Sequence, residues 1–263
     1  DPACASSLLA VQMACRAIWP GDEDCALAGG VNAILSPTTS ISYSLAGMLS
    51  PTGSCKPFDA SADGYVRSEG AVVLVLKPLA RARADRDRIY ALIRGMASNH
   101  GGLTEPSWMA PSTEAQRALI AEALRDARVD AREIVYVEAH GTGTVAGDGA
   151  ESAAVGTALR GDREQPCIVG SVKSNIGHLE AGAGAAGLLK AALVLQHRAV
   201  PPTLHVRELN PDIDFDALEI RVATTTETLG DDRPLFAGVS SFGIGGSNAH
   251  IILEEPPREL API

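Results

Sequence analysis

The sequence lacks the excess of basic residues that nucleic-acid binding requires. Its 263 residues include 22 Lys and Arg against 32 Asp and Glu, which gives a formal net charge of −10. A basic footprint for nucleic acid is therefore absent, and no nucleic-acid partner is expected. The acidic balance suits a soluble protein and says little about the fold.

Long apolar runs and a secretory signal are missing as well. The longest apolar candidate, residues 188–195, is interrupted by Lys190 and is followed by His197 and Arg198. A run of this length is too short to span a bilayer. The chain opens with Asp1 and Pro2 instead of a basic n-region, so we expect no signal peptide, a cytoplasmic location and no membrane partner.

Paired cysteines are also missing. The five cysteines form no CxxC pair and their number is odd. A reduced cytosolic protein fits this pattern better than a disulfide-stabilised secreted one. We interpret four of them as structural: Cys15, Cys25, Cys55 and Cys167.

The sequence pattern predicts strands and helices that alternate along the chain. The 46% apolar content allows a sizeable core. Helices are predicted over 5–18, 113–127, 148–159 and 180–197, and strands over 26–31, 71–76, 89–97, 134–139, 168–172, 218–223, 235–240 and 249–253. The segment 36–67 is expected to form long loops with one helical turn near 43–48, and 81–88 a solvated surface turn. This order favours a layered α/β fold without a dividing linker.

Cys4 is the first candidate for chemistry. Small residues follow it and a helix is predicted next, so its sulfur would lie near a helix N-terminus. There the helix dipole lowers the pKa of a thiol and favours the reactive thiolate. A buried structural cysteine is the commoner role of a single Cys, and for Cys4 alone both interpretations stay open.

His140 and His178 differ from the other histidines because each follows a predicted strand and lies beside glycines. Glycine lets a substrate arm approach the backbone closely. Lys173 precedes His178 by five residues, so both can face one pocket, where a cation holds an imidazole neutral or orients an acidic partner. The remaining histidines are interpreted as structural: His100, His197, His205 and His250.

One thiol and two imidazoles suit covalent acyl chemistry with a carbanion nucleophile, and two rival interpretations are weaker. The Cys/His spacings match no common zinc pattern, so no metal is predicted. A cysteine hydrolase passes an acyl group to water with one base and one orienting residue. Two histidines in equivalent glycine loops are unexpected for a hydrolase, whereas stabilising an enolate uses two donors on one oxygen.

Five segments together resemble the motifs of β-ketoacyl synthases, in the style of the ketosynthase domain of modular type I polyketide synthases. They are the nucleophile motif at 1–7, the two histidine motifs at 138–144 and 172–180, and the segments 54–67 and 240–250. These motifs occur in the family's order along the whole chain, which makes the resemblance specific.

The resemblance implies a thiolase-like α/β fold, in which two similar βαβαβαββ halves form a five-layered αβαβα sandwich. Residues 1–100 would then be the end of the N-terminal half, starting at the nucleophile motif, and residues 101–263 the C-terminal half. Most of the first half would be missing from residues 1–263, which we therefore expect to be a partial ketosynthase domain. The full-length parent is expected to be a homodimer.

The resemblance also implies a reaction. Cys4 takes an acyl chain from an acyl carrier protein as a thioester. His140 and His178 hydrogen-bond the thioester carbonyl of a malonyl-type extender on a carrier protein while CO₂ leaves. The enolate attacks the acyl thioester in a decarboxylative Claisen condensation, and the β-ketoacyl product is two carbons longer. Lys173 organises the His140 side of the pocket.

Further roles follow from the same resemblance. Thr142 and Thr144 contact the phosphopantetheine arm, and Phe242 gates the pocket. The backbone amides of Cys4 and Phe242 form the oxyanion hole. No cofactor of the chain itself is expected, because the phosphopantetheine belongs to the carrier protein.

The sequence departs from the family pattern at a few positions. Pro2 stands where Thr is usual, Ala5 where Ser is usual, and Gly-Ala at 149–150 replaces Pro-Ile near His140. The stretch 99–111 also differs from the commonest form, which leaves substrate preference open. All three reactive side chains are kept, which argues against a non-elongating homologue. The alternative hypothesis is a non-catalytic ketosynthase-like fragment that binds carrier protein or a dimer partner.

Overall fold

Helices and strands alternate through the residues described by the computed structural model, which are 2–21, 23–102, 110–161, 163–230 and 233–257. The helices are α1 (Ser6–Ile18), α2 (Pro37–Leu45), α3 (Leu79–Asp85), α4 (Thr113–Ala127), α5 (Val145–Ala158), α6 (Lys173–Ile176) and α7 (Ala183–His197). The strands are β1 (Ala26–Asn32), β2 (Gly70–Leu76), β3 (Leu92–His100), β4 (Ile134–Glu138), β5 (Cys167–Gly170), β6 (Ala199–Val200), β7 (Ile220–Val222), β8 (Glu227–Thr228), β9 (Phe236–Phe242) and β10 (Ser247–Glu254). Short 3₁₀ turns lie at Ala3–Ala5, Ala131–Glu133 and Glu180–Gly182.

A six-stranded mixed sheet carries the largest part of the fold. Its strand order is β3-β10-β9-β4-β5-β7. The pairs β3-β10 and β10-β9 are antiparallel, whereas the pairs β9-β4, β4-β5 and β5-β7 are parallel. The carboxyl ends of β4 and β5 therefore open at the same edge, where ligands bind in open α/β sheets.

Helices cover both faces of this sheet, and a second, smaller sheet packs on the outer side of one of the two helical layers. On one face, Val137 and Ile252 pack with α4 and α5. On the other, Tyr136 and Ile251 pack with α1 and α7. The antiparallel pair β1-β2 contacts the same two helices from outside. The described residues thus form four layers in the order helices, sheet, helices, sheet.

Small residues allow α1 and α7 to pack closely between the two sheets. The Ser7 hydroxyl accepts a hydrogen bond from the Ala185 amide at 3.0 Å. A Cβ on Gly184 would lie 2.9 Å from the Leu8 Cβ, and one on Gly30 would lie 2.7 Å from the Ser7 Cβ. Leu8 is fully buried there, and burying such a side chain stabilises the fold by about 1.5–3 kcal/mol.

Several sequence expectations need correction. The segment 36–67 contains a full helix, α2, because the Ser36 hydroxyl accepts a hydrogen bond from the Thr38 amide and Pro37 occupies the first turn. The surface turn expected at 81–88 is mostly the short helix α3, with an ion pair between Arg81 and Asp85. Helix α5 begins at Val145, so residues 149–150 lie inside it. In the stretch 99–111, residues 103–109 lie outside the described residues.

The remaining ranges are placed within a few residues of expectation. Helix α4 has the predicted bounds and is capped by Ser112, whose hydroxyl accepts a hydrogen bond from the Ala115 amide. The first three residues of the helix predicted at 180–197 are a 3₁₀ turn. The short strands β6 and β8 were not predicted. Among the described helices, none combines the length and the apolar character that crossing a membrane would need.

The strand predicted at 71–76 is only half buried, contrary to expectation. Its side chains alternate between packing on the helices and facing outward. The exposed fractions of Leu27, Val73 and Val75 are 71%, 68% and 70%. Within the described residues β1 is paired along one edge only, to β2. An apolar face next to an unpaired strand edge favours association with other chains.

We therefore expect the isolated chain, residues 1–263, to self-associate. Size-exclusion chromatography with light scattering should show species larger than a monomer, and replacing Val73 and Val75 by Thr should reduce them. Val145→Thr is the matched control, because Val145 is also exposed but lies on α5. A monodisperse wild-type monomer with a sharp thermal transition would contradict the prediction.

Candidate active site

Three elements that are distant in sequence bring Cys4, His140 and His178 together. Cys4 lies in the 3₁₀ turn before α1, His140 lies two residues after the end of β4, and His178 lies two residues after the end of α6. One sulfur or nitrogen atom from each side chain lies within 4.8 Å of the other two. The two imidazole rings are 5.3 Å apart between centroids. All three side chains line a cavity of about 410 Å³.

The backbone around Cys4 is held from both sides. Ala3 has a φ of +48°, a conformation that non-glycine residues rarely adopt. The Ser6 hydroxyl donates to the Ala3 carbonyl at 2.6 Å, and the Ser241 hydroxyl at the end of β9 donates to the Cys4 carbonyl at 2.7 Å. These contacts fix the turn that presents the thiol to the cavity.

The expectation that the helix terminus lowers the pKa of Cys4 is wrong in its net direction. Burial raises the pKa of the Cys4 thiol to about 11, because a buried thiolate loses its hydration. Lys173 and hydrogen bonds from the backbone amides of Cys4 and Ile244 lower this pKa, but burial outweighs them. The resting form is therefore the neutral thiol.

His178 is held in a single tautomer by the backbone. Gly177, with a φ of +73°, ends α6 and turns the chain so that the His178 ring is fully buried. The amide of Glu180 donates to Nδ1 of His178 at 3.0 Å. A neutral imidazole carries one proton, so Nε2 must hold it and can only donate. Burial, reinforced by Lys173, places the pKa of His178 well below its ordinary value, so the ring is a neutral donor.

His140 is positioned through its main chain. The Glu151 carboxylate accepts hydrogen bonds from the amides of His140 and Gly141, at 2.7 and 2.8 Å. The Lys173 ammonium donates to the His140 carbonyl at 2.5 Å. Burial, and then the charges of Lys173 and His178, hold the pKa of the His140 ring well below its ordinary value. A second neutral imidazole thus faces the thiol.

Two buried carboxyl groups on α5 support this loop, and the sequence analysis did not assign them a role. Burial raises the pKa of Glu151 to about 7 and that of Asp148 to about 6. Asp148 accepts hydrogen bonds from the amides of Phe58 and Gly143, at 2.8 and 3.2 Å. The sequence did contain a sign of this role. Acidic residues three positions apart in a helix otherwise rich in Ala, Gly and Val are expected to have hydrogen-bond partners inside the protein.

The other expected site residues surround the same cavity, except for Lys173. Thr142 and Thr144 line it, with their hydroxyl oxygens 3.0 Å apart. Phe242 also lines it, and its ring centroid is 5.7 Å from that of His140. Lys173 is buried behind His140 and contacts its carbonyl instead of the cavity.

The close approach of Cys4, His140 and His178 also raises the question of a metal site, because each side chain offers one possible ligand atom. A metal binds an imidazole nitrogen through its free lone pair. In His178 that lone pair on Nδ1 already accepts the Glu180 amide, so the remaining nitrogen carries a proton. The set is therefore better suited to donating hydrogen bonds to an oxygen than to binding a metal.

Models of one protein family match most of the chain. Residues 1–82 match the family model of the beta-ketoacyl synthase N-terminal domain, residues 90–207 that of the C-terminal domain, and residues 210–262 that of the ketoacyl-synthetase C-terminal extension. The chain belongs to the beta-ketoacyl synthase family.

Relatives and solved structures show the same likeness. The chain is 47% identical over its whole length to one phenolphthiocerol/phthiocerol polyketide synthase subunit of Mycobacterium tuberculosis, of which it covers 14%. It is 48% identical to another subunit of that synthase, of which it covers 17%. The ketosynthase from module 6 of the bacillaene synthase from Bacillus subtilis 168 is 43% identical, with a TM-score of 0.94 over 98% of this chain and 47% of that one.

These comparisons confirm the expected family and the thiolase-like fold. They also show that the chain spans about half of a solved ketosynthase chain and a much smaller part of the curated polyketide synthases.

The raised pKa of Cys4 gives a testable pH dependence. Because the thiolate is the reactive form, alkylation of Cys4 by iodoacetamide should speed up about tenfold per pH unit until the pH approaches about 11. Mass spectrometry in a Cys25→Ser background removes the exposed competitor. Lys173→Met should make alkylation slower than in the wild type at the same pH, because Lys173 lowers the pKa of Cys4 and its loss raises that pKa. A plateau near pH 8 would contradict the raised pKa of the Cys4 thiol.

Proposed function

We propose that this chain carries the reactive centre of a β-ketoacyl synthase that performs decarboxylative Claisen condensation in polyketide biosynthesis. The observation that carries the proposal is the meeting of one thiol and two neutral imidazoles in one cavity. A nucleophile that accepts an acyl group and two donors that can share one oxygen are the groups that this reaction needs.

The first step is acyl transfer to Cys4. The sulfur attacks the thioester of an acyl carrier protein, the carrier thiol leaves with the proton of Cys4, and an acyl-Cys4 thioester forms. Because the resting thiol is neutral, its proton must move during the attack. The amides of Cys4 and Phe242 are proposed as the oxyanion hole that stabilises the tetrahedral intermediate.

The second step generates the carbanion. A malonyl-type thioester on carrier protein enters, and the carbon–carbon bond to its carboxylate breaks to release CO₂. His178, with its proton on Nε2, and His140 donate to the thioester oxygen as negative charge develops there. The low pKa values keep both rings neutral. The N–H group of a neutral imidazole is a very weak acid, so the two rings stabilise the enolate through hydrogen bonds without full proton transfer.

The third step forms the new bond. The enolate carbon attacks the carbonyl of acyl-Cys4, the sulfur of Cys4 leaves as thiolate and regains a proton from water, and the β-ketoacyl chain stays on the carrier. Lys173 is proposed to hold the His140 loop through the carbonyl contact. Thr142 and Thr144 are proposed to contact the phosphopantetheine arm, and Phe242 to gate the cavity.

Acyl carrier protein is the proposed partner, with acyl and malonyl-type thioesters as substrates. This proposal has support in the names of the relatives, which are polyketide synthases. A homodimer of the full-length parent and a cytoplasmic location are further proposals. No cofactor of the chain itself enters the proposed steps.

Separate assays of acylation and decarboxylation test the proposal in the full-length parent. Cys4→Ala should abolish the acyl adduct, measured by intact-protein mass spectrometry. His178→Ala should lower CO₂ release from malonyl carrier protein by roughly 10²–10³-fold, because one oxyanion donor is lost. His250→Ala is the matched control for loss of a buried histidine, because His250 contacts Ser240 and does not line the cavity.

Three outcomes would change the proposal. Chain extension by the Cys4→Ala parent would overturn it. Acyl release to water in the absence of extender would indicate a cysteine hydrolase. Failure of the wild-type parent to form any acyl adduct would favour the alternative, a non-catalytic ketosynthase-like module that binds carrier protein or a dimer partner.

A further inference from the structure

An ion pair beside the cavity connects to His178 by two routes. The Arg67 guanidinium binds the Glu180 carboxylate in a bidentate manner, with Nε–Oε1 at 2.6 Å and Nη2–Oε2 at 2.8 Å. Both side chains are largely buried, with exposed fractions of 8% and 18%. A bidentate ion pair of this kind fixes the relative orientation of the two side chains and also neutralises their charges. Neither residue has a part in the proposed chemical steps.

The first route runs through the backbone. The His178 amide donates to the Val66 carbonyl at 2.7 Å, and the Ser68 amide donates to the His178 carbonyl at 3.0 Å. Arg67 and His178 therefore face each other across a short parallel bridge. The main chain that carries Arg67 thus also holds the main chain of His178.

The second route runs through Glu180. Its amide donates to Nδ1 of the His178 ring, and its carboxylate is held by Arg67. Glu180 has a φ of +43°, in the left-handed region that non-glycine residues seldom adopt. An unfavourable conformation of this kind persists only where the surroundings hold it. Arg67 supplies that restraint and closes a ring of contacts through Glu180, the imidazole and the bridged backbone.

Arg67 is itself anchored by two contacts to another element. Its Nη1 donates to the Ser40 hydroxyl at 2.7 Å, and its guanidinium lies 5.6 Å from the ring centroid of Tyr43. Both contacts come from α2, and Tyr43 lines the cavity. The position of the Arg67 guanidinium is therefore set by α2, independently of the segment that carries His178 and Glu180.

We propose that Arg67 and Glu180 are positioning residues that keep His178 in its Nε2–H tautomer and hold its ring toward Cys4. Without Arg67, Glu180 is free to leave its left-handed conformation and withdraw its amide from Nδ1. The proton of His178 can then move to Nδ1, and the donor to the extender carbonyl is lost. The inference rests on the proposed function for its effect on the reaction, but the tautomer is measurable without any reaction.

The experiment compares Arg67→Met with wild type in the full-length parent. The wild type should show one His178 tautomer by ¹⁵N NMR of labelled histidine, assigned by its loss in His178→Asn. Arg67→Met should show a mixture of tautomers and release CO₂ from malonyl carrier protein about 10²-fold more slowly, since a displaced group can cost that factor. Acyl transfer to Cys4 should stay close to wild type.

Controls separate a positioning role from a general structural one. Arg117→Met removes a comparable Arg–Glu pair on the exposed face of α4 and should change neither readout. If Arg67→Met does not fold, Arg67→Lys carries the test, because it keeps the charge without the fork. It should show a mixed tautomer and a smaller loss of decarboxylation.

Two outcomes would overturn the proposal. One is a wild-type tautomer in a folded Arg67 variant. The other is an equal loss of acylation and decarboxylation, which would indicate general damage to the site. Failure of the wild-type parent to release CO₂ would count against the proposed function instead, and the NMR comparison would still decide the role of the ion pair.

Discussion

The candidate site depends on the close packing of α1 against α7 between the two sheets. Ser7 and Leu8 follow shortly after the thiol, and they contact the Gly184–Ala185 turn of α7. This contact brings a cysteine near the first residue of the chain beside histidines more than a hundred positions later. A larger side chain at Gly184 would separate the helices and, with them, the thiol from the imidazoles.

Burial then determines the charge state of the site. It removes hydration from the thiol and from both imidazoles, so the neutral forms of all three are favoured. The same burial requires partners for every nearby charge. Lys173 is held by the His140 carbonyl, and Glu151 by the amides of the His140 loop. These two groups around the cavity therefore contact the main chain, and the thiol and imidazoles that line the cavity are left uncharged.

Much of the fold and most of the site could be predicted from the sequence, where the information is local. Helix α4 has its predicted bounds because Ser112 supplies a cap and the apolar positions repeat with helical spacing. Helix α2 was missed because its cap and proline lie among Ser, Thr and Gly residues that are also typical of loops. The strand at 71–76 is apolar on both faces, so its sequence could not tell a buried strand from a half-exposed one.

The sequence by itself determined the family and pointed to Cys4, His140 and His178 as the candidate residues for the proposed chemistry, because short motifs around these residues carry the resemblance. Only the tertiary structure decided that these side chains meet, that the pKa of Cys4 is raised instead of lowered, and which nitrogen of His178 holds the proton. The physical reason is that burial and long-range hydrogen bonds, such as those joining Arg67, Glu180 and His178, come from residues far apart in the chain. Local sequence around the thiol predicts only the helix dipole, which the loss of hydration outweighs.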